Sequence, residues 1–221
     1  MIGNALVIVP AYNESINLEK TLTELVTMFS HIVVVNDGST DNTLEIATKY
    51  PVDILNLPAN LGQGGALMAG FRYFIEFTKL PYCITIDADG QHSLTDAVNI
   101  LDFLVTSQAD IIFGSRFLNS GSSIPLIKQL VLQMGIAFER VFFGIRQATD
   151  AHNGLRAMNR HACHSILPLR CLRMAHATEI RSKSSFHSLN ILEFPVTVLY
   201  SEKRSQNPLN LINIVSDLFI A

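Results

Sequence analysis

Residues 82–91 read YCITIDADGQ, an apolar run followed at once by Asp87-Ala88-Asp89-Gly90-Gln91. The run is short, rich in β-branched and aromatic residues, and stops at polar ones, so it predicts a strand. Four more runs of the same kind surround it: Ala5–Val9, Ile32–Val35, Val52–Leu57 and Ala109–Phe113. Amphipathic stretches near 15–29, 41–49, 64–78 and 94–107 lie between them. Strands that are apolar almost throughout, alternating with single helices, predict an α/β fold: a mostly parallel central sheet with helices on both faces. Asp41 is the expected N-cap of the second helix, with Glu45 in its first turns.

The pattern changes after Arg116. Residues 117–124 (FLNSGSSI) read as a polar loop and Ile124–Ile145 as a long apolar helix. A last strand is expected over about 190–199, where Pro195 argues for an edge position or a bulge. Pro208–Ala221 reads as an amphipathic helix.

A chain of 221 residues fits one domain of this class. It is 48% apolar and only 16% charged, which excludes a disordered chain and allows a sizeable core. Three cysteines, Cys83, Cys163 and Cys171, without a CxxC pair, argue against a disulfide scaffold and a zinc ribbon. They point to a reducing, cytoplasmic compartment. No apolar stretch reaches the roughly 18 residues of a spanning helix, and MIGNALVIVPAYNE lacks the basic lead of a secretory signal. Peripheral contact with a membrane stays open. The net charge of −3 is unevenly divided: residues 1–115 carry 4 Lys and Arg against 13 Asp and Glu, and residues 116–221 carry 12 against 6. An acidic half suits a cation and a basic half an anion, with chance variation of surface charge as the plain alternative.

Positions two apart in an extended chain point the same way, so Asp87, Asp89 and Gln91 can present oxygen atoms to one point. That point lies at the carboxyl edge of the sheet, where open α/β sheets bind ligands. Two close carboxylates repel unless a cation sits between them, and oxygen ligands suit Mg²⁺ or Mn²⁺. A solvated Asp-rich turn is the alternative for this motif taken alone. Two other strand ends reach the same rim, Val9-Pro10-Ala11-Tyr12-Asn13-Glu14 and Val35-Asn36-Asp37-Gly38-Ser39-Thr40-Asp41. A carboxylate such as Asp37 can accept hydrogen bonds from a ribose hydroxyl or a base N–H, and an aromatic such as Tyr12 can flank a base. A turn followed by a helix cap accounts for residues 36–41 equally well. Asn60–Ala66 (NLGQGGA) lacks the spacing of a dinucleotide fingerprint and the GK[ST] of a phosphate loop, which sets aside a Rossmann dehydrogenase and a nucleoside triphosphatase. Its glycines let the backbone come close to a ligand or to the sheet.

In order and spacing, VPAYNE, VVNDGSTD, NLGQGGA, DADGQH, GSRF and DAHNGLRAMNR closely resemble a family 2 glycosyltransferase of the GT-A fold. Within that family the chain is most similar to polyprenyl-phosphate and dolichyl-phosphate sugar synthases and to short bacterial polysaccharide transferases. The resemblance implies one GT-A domain over 1–221, with a nucleotide-sugar half (1–115) and an acceptor half (116–221). It implies that Pro10, Tyr12, Glu14 and Asp37 line the nucleoside pocket, with Gly62 and Asp87 also meeting the donor. Asp87, Asp89 and Gln91 would hold the Mg²⁺ or Mn²⁺ that bridges the donor's diphosphate. Arg116 would face a phosphate of donor or acceptor, and Arg204 would approach the diphosphate from a C-terminal loop. Asp150 would act as general base toward a hydroxyl acceptor, or orient the sugar if the acceptor is a phosphate. Inversion at the anomeric carbon follows from the family.

The implied partners are a UDP- or GDP-sugar and a polyprenyl phosphate or lipid-linked glycan at the cytoplasmic membrane face, with no nucleic acid. A soluble transferase to a saccharide hydroxyl and a non-catalytic nucleotide-sugar-binding module are the alternatives. His176 and Glu179, three apart on a predicted helix, are candidates for the acceptor site, against a plain helix-internal pair. His152, His161 and His164 read as surface or packing residues rather than zinc ligands. Lys128, Arg140, Arg146 and Arg156 are candidates for a basic face toward anionic headgroups, against scattered solvated charges.

Overall fold

A computed structural model of the chain describes residues 1–118, 149, 150 and 153–198. The helices expected over 124–145 and 208–221, most of the 117–124 loop, Lys128, Arg140, Arg146, His152 and Arg204 lie outside these residues. The first half alternates strand and helix as its pattern predicts: β1 (Ile2–Ala11), α1 (Leu18–Met28), β2 (Phe29–Asn36), α2 (Thr43–Ala47), β3 (Asp53–Asn56), α3 (Gln63–Phe77), β4 (Tyr82–Thr85), α4 (Leu94–Ser107) and β5 (Ile111–Ser115). The described part of the second half adds β6 (Arg156–Asn159), α5 (Arg160–Ile166), α6 (His176–Phe186) and β7 (Ile191–Pro195).

These strands form one sheet in the order β3-β2-β1-β4-β6-β5-β7. The pairs β1–β2, β1–β4, β2–β3 and β5–β7 are parallel, whereas β6 runs antiparallel to both β4 and β5. The chain leaves β1 for β2 on one side and returns to β4 on the other. This makes the carboxyl ends of β1 and β4 a topological switch point, where a crevice opens above the sheet.

Side chains alternate across the sheet, and each face has its own core. Val7, Val9, Val34, Ile84 and Ile112 join Leu18, Leu22 and Leu25 of α1 and Ile100 and Leu104 of α4. Leu6, Ile8, Val33, Val35 and Phe113 join Leu67, Phe71 and Phe74 of α3, Cys163 of α5 and Ile180 of α6. This is why the inner strands read as unbroken apolar runs: both of their faces are covered. Among the described residues no helix is long and apolar enough to cross a membrane.

Four local expectations need correction. β5 begins at Ile111 rather than Ala109, because the Asp110 carboxylate is turned to Asn159 Nδ2 and the Asn190 N–H, each at 2.8 Å. Arg156, expected on a basic outer face, is instead the buried first residue of β6, paired with Thr85 and Phe113. The N-cap of α2 is Asn42, not Asp41. Asp41 serves the helix start from one residue further out, accepting from the Thr43 N–H at 3.0 Å and tying it to the Ser15 N–H at 3.1 Å. The last strand ends at Pro195 instead of running to about 199, since a proline lacks the N–H to continue the ladder, and it lies at the edge of the sheet as Pro195 led one to expect.

Asp41 therefore joins the segment after β1 to the start of α2. Burial pushes its carboxyl up, but the hydrogen bonds from Thr43 and Ser15 outweigh that and hold it at about 2, below the ordinary 3.8. A carboxyl depressed in the folded state stabilises the fold above its unfolded value and loses that contribution as pH falls through its folded value. Asp41→Asn should thus melt below the parent protein near neutral pH, and thermal melts should show the gap closing as pH falls from 3.8 to about 2.

Candidate active site

Four chain segments meet at the rim above the switch point. The turns after β1 and β2 are stitched together: the Asn13 N–H donates to Ser39 Oγ at 3.0 Å, Asn13 Oδ1 accepts the Thr40 N–H at 2.8 Å, and the Glu14 N–H donates to Thr43 Oγ1 at 2.8 Å. Tyr12 stands out of this rim, 45% exposed, with Pro10 partly buried beneath it. The Glu14 carboxylate accepts from Asn17 Nδ2 at 3.1 Å.

Asp37 is buried, and both of its carboxylate oxygens are engaged, by the Leu61 and Gly62 N–H groups at 2.8 Å each. Burial raises its carboxyl above the ordinary range, against the opposing pull of those two N–H groups and the Arg173 charge. Asp37 thus fixes the entry to α3 as well as lining the rim.

The glycines of NLGQGGA seat a neighbouring backbone. A Cβ on Gly64 would collide with Cys171 O and His176 Cβ, and the Gly65 N–H donates to Leu172 O at 3.0 Å. The overlying loop is held from its other side by Glu179, whose carboxylate accepts the Arg170 N–H at 2.9 Å and the Cys171 N–H at 2.7 Å and pairs with Lys183. Burial pushes the Glu179 carboxyl up, but those N–H groups and Lys183 prevail and hold it low. His176 is buried at the start of α6, with Nδ1 at 2.7 Å from Arg173 O. The two residues share a helix but serve different neighbours. His161 and His164 are exposed on α5.

Asp87 follows β4 at the centre of the rim. Its Oδ1 accepts from Gln63 Nε2 at 2.8 Å, and its Oδ2 lies 3.3 Å from His92 Nε2. Burial would raise this carboxyl, yet the His92 hydrogen bond and the charges of His92, Arg156 and His176 hold it below the ordinary range. The reversed strand β6 begins at the same rim: Thr85 Oγ1 donates to Gly154 O at 2.6 Å, and a Cβ on Gly154 would strike the Asp87 carboxyl. Asp89 Oδ1 accepts the Gln91 N–H at 3.1 Å, closing the turn that holds Gly90 at φ +70°. Among the described residues no three His, Cys, Asp or Glu side chains form a closed metal site. Asp87 and Asp89 offer carboxylate oxygens, with neighbouring donors behind Asp87, the donor chemistry that hard divalent ions take.

Arg116 and Asp150 face one another. Asp150 Oδ2 accepts from Arg116 Nε at 2.7 Å and from the Arg116 N–H at 3.0 Å, while Oδ1 accepts from Arg116 Nη2 at 2.6 Å. The side chains are 6% and 0% exposed. Around them Arg181 donates to Asp150 O at 2.6 Å and to Glu193 Oε1 at 3.2 Å, and Glu193 accepts the Thr149 N–H at 3.0 Å. The structure therefore brings Asp87, His176, Gly62 and Asp37 onto one connected rim and pairs Arg116, after β5, with Asp150, ahead of β6. Gln63, His92, Asn153 and the Arg181–Glu193 pair were not singled out by sequence reasoning. The first three stand inside the motifs NLGQGGA, DADGQH and DAHNGLR. The Arg181–Glu193 pair joins two elements by no local pattern.

A profile of glycosyl transferase family 2 matches residues 6–167. An uncharacterised protein of Methanocaldococcus jannaschii is 33% identical over 217 residues, covering 96% of this chain and 88% of that protein. The UDP-N-acetylglucosamine–dolichyl-phosphate N-acetylglucosaminyltransferase of Methanococcus voltae is 28% identical over 216 residues, covering 88% of this chain and 85% of that enzyme. Among solved structures, glucosyl-3-phosphoglycerate synthase of Mycobacterium tuberculosis, in complex with Mn²⁺, UDP and glucosyl-3-phosphoglycerate, aligns with a TM-score of 0.72 at 18% identity. That alignment covers 98% of this chain and 79% of the synthase.

Breaking a buried ion pair leaves one charge stranded, at a cost of about 3–5 kcal/mol, whereas replacing both partners by apolar groups of similar volume is near neutral. Asp150→Asn should therefore lower the unfolding free energy by about 3–5 kcal/mol in urea titrations. The double variant Arg116→Met/Asp150→Leu should recover most of that loss.

Proposed function

The chain belongs to glycosyl transferase family 2 and has the GT-A fold, and from that premise we propose that it moves a sugar from a UDP- or GDP-linked donor to a polyprenyl phosphate. The observation that carries this reading is the state of Asp150. A carboxylate that is fully buried and accepts three N–H groups of Arg116 is a poor proton acceptor. A hydroxyl acceptor would need such a base. A phosphate acceptor arrives as an anion and needs none. The name of the Methanococcus voltae relative, which pairs a UDP-sugar with dolichyl phosphate, supports the same choice.

In this reading a phosphate oxygen of the acceptor attacks the anomeric carbon from the face opposite the diphosphate. The bond from that carbon to the diphosphate oxygen breaks, its electron pair leaves with the nucleoside diphosphate, and the configuration inverts. Tyr12 flanks the base, Pro10, Glu14 and Asp37 line the nucleoside pocket, and Gly62 carries the backbone past it. Asp87, Asp89 and Gln91 would hold Mg²⁺ or Mn²⁺, the ions present in solved structures of the same fold. When bound, the ion neutralises charge on the leaving diphosphate. Arg116, oriented by Asp150, adds a fixed positive end at the wall of the site, and Arg204 approaches the diphosphate from the C-terminal side. His176, held by the Arg173 carbonyl at the start of α6, and Glu179, through the loop it holds, shape the acceptor side. A lipid-borne acceptor places the reaction at the cytoplasmic face of a membrane, reached by peripheral contact.

The test is release of nucleoside diphosphate from UDP- and GDP-sugars with Mg²⁺ or Mn²⁺, with and without a short polyprenyl phosphate. Release that requires the lipid phosphate is expected, and Asp89→Asn should abolish it while melting like the parent. Equal turnover with a free saccharide acceptor would overturn the lipid reading, and near-normal turnover of Asp89→Asn would overturn the metal assignment.

A further inference from the structure

The neutral side chain of Gln63 stands directly behind the carboxylate assigned to the metal. It is the first residue of α3, and its Nε2 donates to Asp87 Oδ1 at 2.8 Å. Two other neighbours confine the same carboxylate: His92 Nε2 at 3.3 Å from Oδ2, and the backbone of Gly154, against which no side chain would fit. Of the two polar neighbours, Gln63 makes the shorter contact, and it comes from a different chain segment, the start of α3.

Its position is set from a distance. Glu179 holds the Arg170 and Cys171 N–H groups, Leu172 O accepts the Gly65 N–H, and Gly62 O accepts the Ala66 N–H at 3.0 Å. The start of α3 is thereby pinned between Asp37 on one side and the 170–172 backbone on the other. An amide also differs from the cations nearby. A cation in its place would compete with a divalent ion for the Asp87 carboxylate. A neutral donor orients the carboxylate without spending its charge.

We infer that Gln63 is a positioning residue for the divalent cation: it fixes the Asp87 carboxylate so that its remaining lone pairs meet the ion. The inference builds on the metal-dependent reading above and extends it to a residue outside the three assigned ligands. Hydrogen-bond partners of metal ligands typically change metal affinity by about 10–100-fold when removed.

The experiment titrates Mn²⁺ by electron paramagnetic resonance in the presence of UDP or GDP, for the parent, Gln63→Met and Gln63→Glu. Methionine keeps the length of the side chain and removes the donor, whereas glutamate replaces the donor by an anion. Gln63→Met should bind Mn²⁺ at least about tenfold more weakly, and Gln63→Glu, whose added anion offsets the lost donor, should be weakened less than Gln63→Met, with unchanged nucleotide affinity in the absence of metal and an unchanged melting temperature. Saturating Mn²⁺ should restore turnover of Gln63→Met. Parent-like Mn²⁺ affinity in Gln63→Met would overturn the inference, as would a lowered melting temperature with Mn²⁺ affinity intact. Absence of Mn²⁺ binding by the parent itself would instead bring down the metal reading and this inference with it, so the two failures are told apart.

Discussion

The contact between the Asp87 carboxyl and the backbone of Gly154 organises the rim. It exists because β6 runs against its neighbours: Thr85 pairs with Arg156, so the residues leading into β6 emerge beside those leaving β4. A parallel strand in that place would begin at the opposite edge of the sheet and carry residues 150–155 away from the crevice. Reversal of one strand thus delivers residues of the second half of the chain to a rim otherwise built by the first half. The steric demand is severe, since any side chain at 154 would displace Asp87.

The same economy of space explains the glycines before α3. They hold no phosphate-loop geometry, and their absent side chains make room for Cys171, Leu172 and His176. Asp37, Glu179 and Gly65 then lock three segments with backbone hydrogen bonds, which are more directional than apolar packing. The apolar cores on the two sheet faces supply most of the stabilising burial. The polar clamps decide where the rim residues stand. A rim built this way can hold charged groups close together because each carboxylate is met by donors fixed elsewhere in the fold.

How far this was legible in the sequence depended on the range of the interaction. β1, β2 and β4 announce themselves through local runs such as LVIV and YCITI, because burial on both faces leaves no polar position to obscure them. β6 was invisible for the opposite reason: Arg-Ala-Met-Asn is four residues long, begins with a buried cation and ends in a helix cap. Its strand identity comes from pairing with residues 82–85 and 111–113, a long-range fact without local pattern. The rim residues of DADGQ and NDGSTD were legible as chemistry because strand ends in parallel sheets share one edge. The partners that set their behaviour were not. Nothing adjacent to Asp150 in the chain reveals that Arg116 encloses it, and nothing near Glu179 reveals the two N–H groups eight and nine residues before it.

Asp150 shows why that distinction matters for chemistry. From sequence, Asp150 reads either as a general base or as a residue that orients the sugar. Its environment separates the two roles. A base must keep a lone pair in reach of substrate and a proton affinity above that of an ordinary carboxylate. Burial alone would raise proton affinity, but a bidentate guanidinium and a backbone N–H stabilise the ionised form and take up the oxygens. The pair is worth keeping in the fold because Arg116 and Asp150 join the end of β5 to the approach to β6, with Arg181 bracing Asp150 from α6. Its rigidity fixes the end of β5 against the approach to β6, and under the proposed transfer to a phosphate the pair would serve to position Arg116 rather than to take up a proton.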